Sequence, residues 1–170
     1  MSLKSLVTAL AVLLAQPMHA EIVGTFDEGA PKDRFTFLNA GDCTVRHISL
    51  FLDLSGSSSG LVFDVTSAGA GVEVFQPLEL VAGEGALNGI VPVKDGDNTV
   101  MMNIKALAPG HSIAFTIDVD DTMGQREITV SGSEIEGATF SLADASSSSS
   151  GTFASNARAS APLIGCSSSG

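Results

Sequence analysis

The sequence predicts an all-β chain folded as an antiparallel β-sandwich, Ig-like or jelly-roll-like. Three observations carry this. Apolar residues recur with period two rather than the 3.6-residue period of a helix. Clusters of Gly, Pro, Asn and Asp interrupt these runs at short, fairly regular intervals, which is the rhythm of short strands joined by turns. Beyond Ala20 no stretch shows an amphipathic helical repeat.

The strands can be justified in order. Arg34-Phe35-Thr36-Phe37 alternates. Ile48, Leu50, Leu52 and Leu54 share one face, with Ser49, Phe51 and Asp53 on the other. Leu61, Phe63 and Val65 alternate with Val62 and Asp64, and Val72 and Val74 with Glu73 and Phe75. Leu78 and Leu80 follow, and a short helix or turn is expected near 79–88. Val100, Met102 and Ile104 alternate with Met101, Asn103 and Lys105, while Ile113, Phe115, Ile117 and Val119 form the cleanest apolar face. Ile128 with Val130, and Ala138 with Phe140 and Leu142, predict two more strands. Residues 152–158 suggest a last one. Phe51, Phe75 and Met101 fall opposite the main alternation, and a second buried face is expected to cover them.

The segment 1–20 has a different logic. Lys4 is a positive start, the stretch 6–15 is a short apolar run, Pro17 breaks it, and Ala20 offers a small residue before Glu21. This is the anatomy of a cleaved secretory signal peptide. The run is shorter than the ~20 residues a membrane-spanning helix needs, and no later segment supplies a span. The expected organisation is a signal peptide over 1–20, a β-sandwich domain over 21–145, a Ser-rich loop over 146–151, and a final strand with a C-terminal tail over 152–170. The expected location is secreted or periplasmic.

Removing the leader takes away Lys4 and no acid, leaving 7 Lys and Arg against 19 Asp and Glu. Such a surface repels nucleic acid and anionic headgroups; it suits an exported protein or one that gathers divalent cations. Two cysteines, Cys43 and Cys166, in an exported chain suggest a disulfide. It would tie the tail to an early strand and stabilise by up to about 4–5 kcal/mol in the chain-entropy view.

Three longer phrases, FDEGAPKDRFTFLNAGDC (26–43), GLVFDVTSAGAGVEVFQPLEL (60–80) and FTIDVDDTMGQREITVSGSEIEGATFSL (115–142), resemble the small exported bacterial proteins designated aggregation factor core. The resemblance covers most of the chain after the leader. It implies an exported β-rich domain with a role in cell–cell adhesion, and it assigns no catalytic or binding residues.

The residues themselves offer one candidate site. In an extended strand Asp118 and Asp120 share a face, expected to be the solvent face, about 7 Å apart, and Asp121 follows. Calcium takes six to eight oxygen ligands. Asp95 and Asp97 of the loop KDGDN, and Asp53 or Asp64 at strand ends, are the candidate helpers. The competing account is an acidic strand edge that stays solvated and blocks edge pairing, with Asp-Gly and Asp-Asn serving as turns. The loop lacks the twelve-residue EF-hand pattern.

No nucleophile elbow, zinc motif or phosphate-cradling loop appears. His47 and His111 stand near strand starts, and the nine Phe come with no Trp or Tyr to stack on sugars. No enzymatic activity is expected. The expected role is a secreted, non-catalytic binding or adhesion module with calcium as the candidate cofactor and itself or a cell-surface component as partner. The alternatives are a structural exported sandwich with no metal, and a hydrolase built on a carboxylate pair.

Overall fold

The computed structural model describes residues 20–67, 75–123 and 130–163. The first strand, β1 (Ala20–Asp27), begins beside the expected cleavage point. It is followed by β2 (Asp33–Asn39), β3 (Val45–Asp53) and the two-residue β4 (Val62–Phe63). Next come β5 (Glu79–Ala82), a single 3-10 turn (Glu84–Ala86), β6 (Leu87–Ile90) and β7 (Thr99–Leu107). The chain continues through β8 (Ser112–Ile117), β9 (Val119–Asp120), β10 (Thr139–Ala143), β11 (Ser148–Thr152) and β12 (Arg158–Leu163).

Two five-stranded antiparallel sheets face each other, in the orders β12-β1-β2-β8-β5 and β11-β10-β3-β7-β6. The expected antiparallel β-sandwich is therefore the observed fold. A two-stranded ladder, β4-β9, sits at one end. Alternation explains the core. Ile48, Leu50, Leu52 and Leu54, then Val100, Met102 and Ile104, then Ile113, Phe115, Ile117 and Val119 all point inward and are buried. Phe37 of one sheet meets Phe140 of the other edge-on, with ring centroids 5.3 Å apart. Burial of this apolar surface is the main force holding the sheets together.

One lateral edge is closed by small residues. A Cβ on Gly151 of β11 would stand 2.4 Å from the Ser160 carbonyl oxygen of β12, so only glycine lets the two sheets approach there.

Several expectations need correction. The Ser-rich stretch 146–151 is not a loop throughout: Ser148–Thr152 is β11, paired in register with β10. An edge strand with little to bury needs no apolar alternation, so composition hid it. Asp144 makes the turn that sends the chain back, accepting from the backbone N–H of Ser146 and Ser147. Phe51 and Met101 are not covered by a second layer. They oppose each other across β3 and β7 on the outer face and are each 38% exposed, as is Phe75. Large side chains on that side of the second sheet remain partly in water. The expected strands at 72–74 and around Ile128 lie outside the described residues. The turn expected near 79–88 is the 3-10 turn, flanked by the short edge strands β5 and β6. No helix among the described residues is long and apolar enough to cross a membrane.

Candidate functional site

The acidic residues collect at the end of the sandwich where β8 passes into β9. Ile117 and Val119 both enter the core, which turns Asp118 to the opposite side. The β4–β9 register pairs Val62 with Asp120 and Phe63 with Val119. Continued by one residue, it sets Asp64 against Asp118, and the Asp64 N–H donates to the Asp118 carbonyl at 3.1 Å. Directly opposed residues share a face, with Cβ atoms about 4.5–5.5 Å apart. Asp64, Asp118 and Asp120 are therefore three carboxylates on one face of a small ladder.

That face is not solvated, which corrects the expectation for Asp118 and Asp120. Asp118 is 7% exposed, Asp120 5%, Asp64 3% and the unforeseen Asp33 2%. The chain at Gln76 runs alongside: its backbone N–H donates to the Asp64 carbonyl and its carbonyl accepts from the Asp118 N–H, both at 3.2 Å. Asp33 arrives at the start of β2. Its Oδ1 accepts the Gly29 N–H at 3.0 Å and its Oδ2 the Val119 N–H at 3.2 Å. It ties the β1–β2 turn to β9.

The loop KDGDN lines the other edge of β4, with the Phe63 N–H donating to the Asp97 carbonyl and the Gly96 N–H to the Phe63 carbonyl. This brings Asp95 to the site. Its Oδ1 accepts from the N–H of Val65 and Thr66 at 2.9 and 3.0 Å, and its carboxyl is hydrogen-bonded to that of Asp64. Asp97 has a different task. Its Oδ2 accepts the Lys94 N–H at 2.7 Å and closes its own turn. Asp53 likewise caps the Ser55 N–H at 2.8 Å. Asp121 is half-buried beside the ladder. Of the expected set, then, the structure gathers Asp118, Asp120, Asp95 and Asp64. It gives Asp97 and Asp53 to turns.

The electrostatics follow from crowding charge into a dry place. Burial first, then the charges of Asp120 and Asp64, push the Asp118 carboxyl up to about 7. Lys32 offsets part of this; its ammonium also pairs with Glu79 at 2.9 Å. Burial raises Asp33 to about 7 against the pull of its two backbone donors, with Asp118 and Asp120 adding to the rise. Burial, the hydrogen bond with Asp95 and the charge of Asp120 raise Asp64 to about 6. Asp95 moves the other way, held down mainly by the Val65 N–H. Among the described residues, Asp64 Oδ1 and Asp118 Oδ2 are buried with no hydrogen-bond partner. Among the described residues no three Asp, Glu, His or Cys side chains stand together as a ready-made metal cage.

The histidines stand apart. His111 lies at the opposite end of β8, its ring bonded to the Pro109 carbonyl at 3.1 Å. The groove there is walled by small residues such as Gly83, Ala86, Ala108 and Gly110 and has no carboxylate in its lining. His47 sits in β3 with positive φ. Cys43 is buried and is not a free thiol; Cys166 lies outside the described residues.

Asp33 is the buried acid here that the sequence does not mark, and Asp64 is marked only as a helper at a strand end. An acid flanked by Lys32 and Arg34 looks like a solvated turn. Asp64 follows a Phe in a run too short to show its face. Comparison with known proteins finds no matching family model and no match among curated proteins.

Proposed function

We propose that this protein is a secreted or periplasmic, non-catalytic binding or adhesion module whose acidic end works with a divalent cation, calcium being the candidate. One observation supports this most: four aspartates buried at one end of the sandwich, two of them with an oxygen that has no hydrogen-bond partner among the described residues. An unpartnered buried carboxylate costs stability. Apolar residues would fill the same space without that cost, so carboxylates placed there point to a ligand. The resemblance to aggregation factor core proteins and the leader-like segment 1–20 agree with export and adhesion.

The bridge belongs to the same reading. Cys43 is proposed to pair with Cys166, the one other cysteine in the chain. An intact mass two hydrogens below that of the fully reduced protein is the expected result.

In this account calcium stiffens the acidic end and lowers its charge, allowing copies of a strongly acidic protein to approach one another or a cell surface. Residues 21–170 should scatter more light in millimolar calcium than in chelator, and the excess should vanish when chelator is restored. A monomer indifferent to calcium is what a purely structural sandwich predicts, and it would count against the adhesion role.

A further inference from the structure

We propose that Asp64, Asp118 and Asp120, with Asp95 at the rim, form a binding site for a hard divalent cation of the calcium class. The inference rests on the cation-assisted reading above and names the residues that would carry it.

Asp33 and its neighbours differ in a telling way. Asp33 is what a purely structural buried aspartate looks like: each oxygen accepts a backbone N–H, and the group joins two segments of chain. Asp64 and Asp118 are as deeply placed but differ in kind. Each retains one oxygen with no partner among the described residues, although buried polar atoms are nearly always satisfied. Register places these two side chains opposite each other, and Asp120 shares the face as the next residue but one.

The chemistry of the donors selects the ligand. All are carboxylate oxygens, which favour calcium or magnesium over the softer metals that want nitrogen or sulfur. An ion with Ca–O distances of about 2.3–2.6 Å joins oxygens up to about 5 Å apart, and opposed residues on neighbouring strands, with Cβ atoms about 4.5–5.5 Å apart, carry side chains that can reach one such ion. Asp64 interacts with both Asp95 and Asp120, although among the described residues no three of these side chains stand as a finished cage. Closing on an ion needs side-chain rotation, with the backbone already in place.

The test uses calcium chloride as the probe, with magnesium chloride for comparison, on residues 21–170. The thermal midpoint is measured at neutral pH in chelator and in calcium, beside a calorimetric titration. At 100 times the dissociation constant the midpoint should rise by about 5–10 °C. Asp118→Asn and Asp64→Asn keep the size of the side chain and remove its charge; both should lose the rise. Asp118→Ser is a second variant should the first fail to fold. Asp97→Asn and Asp53→Asn, whose carboxylates serve turns, should keep it. No rise and no heat of binding in the wild-type protein overturns the site, as does a rise that survives in both Asp118→Asn and Asp64→Asn. A midpoint that rises as described while light scattering stays flat upholds the site and removes the adhesion role.

Discussion

Phe35→Ala is expected to destabilise the domain by about 3–5 kcal/mol, a large part of the total of about 5–15 kcal/mol typical of a domain. Phe35 has no exposed surface. Its ring lies 5.2 Å from that of Phe115 in a stacked pair, 5.0 Å from Phe26 and 6.4 Å from Phe63. With no Trp or Tyr in the chain, these rings supply the largest pieces of the core, and backbone hydrogen bonds keep the sheets from closing over the lost volume. Urea unfolding measures the change. Phe51→Ala, on the outer face at 38% exposure, is the matched control and should move stability by about 0.5 kcal/mol or less. The consequence reaches the acidic end as well. Phe63 precedes Asp64 and rests on Phe35, so a cavity there would loosen the floor beneath the carboxylates.

The metal-free protein is expected to gain stability as pH falls from about 8 to about 5. The sign follows from the folded-state carboxyls of Asp33 and Asp118 at about 7 and Asp64 at about 6, all above the unfolded value near 3.9. Between about pH 4 and pH 7 the native state then holds more protons than the unfolded chain, and stability declines as pH rises through that window. A single carboxyl raised from about 4 to about 7 would contribute about 4 kcal/mol. Asp118 feels the charge of Asp64, and Asp33 that of Asp118, so protonating one relieves its neighbour and the combined change is expected to stay near about 2–4 kcal/mol rather than three times one shift. Asp144, held at about 2 by the Ser146 and Ser147 N–H groups, works in the opposite direction only below about pH 4. Urea midpoints in chelator at several pH values measure the slope. Asp118→Asn should flatten it and should raise stability at pH 8, because it removes a buried charge rather than a satisfied one.

The sandwich was legible because its strands each bury one face. Period-two alternation over 48–54, 100–104 and 113–119 marks inward residues directly. It failed where a strand has little to bury, as in Ser148–Thr152, and where edge strands are short, as in β5 and β6. The strand β1 was obscured by its place directly after a leader-like segment. The acidic site was half legible. Asp118 and Asp120 stood out as a pair on one face, yet the same alternation rule that found them assigned that face to water. Which residues cover a strand's second side is decided by long-range contacts such as those of Gln76 and Asp33, and no local pattern encodes them. Asp95 and Asp97 show the same limit at closer range. Two acids in one loop look alike in sequence, and only the fold turns one toward β4 and the other back on its own turn.

The most direct measurement of the central claim is a carboxyl carbon NMR titration of the aspartates in the chelated, oxidised protein. Asp33 and Asp118 are expected to titrate near 7 and Asp64 near 6, with the Asp118 and Asp64 signals shifting on addition of calcium at neutral pH and Asp97 unmoved. Ordinary carboxylate titration near 4 for Asp33, Asp64 and Asp118, together with no response to calcium, would mean that the acidic end is open and solvated, and would contradict both the buried cluster and the cation site built on it.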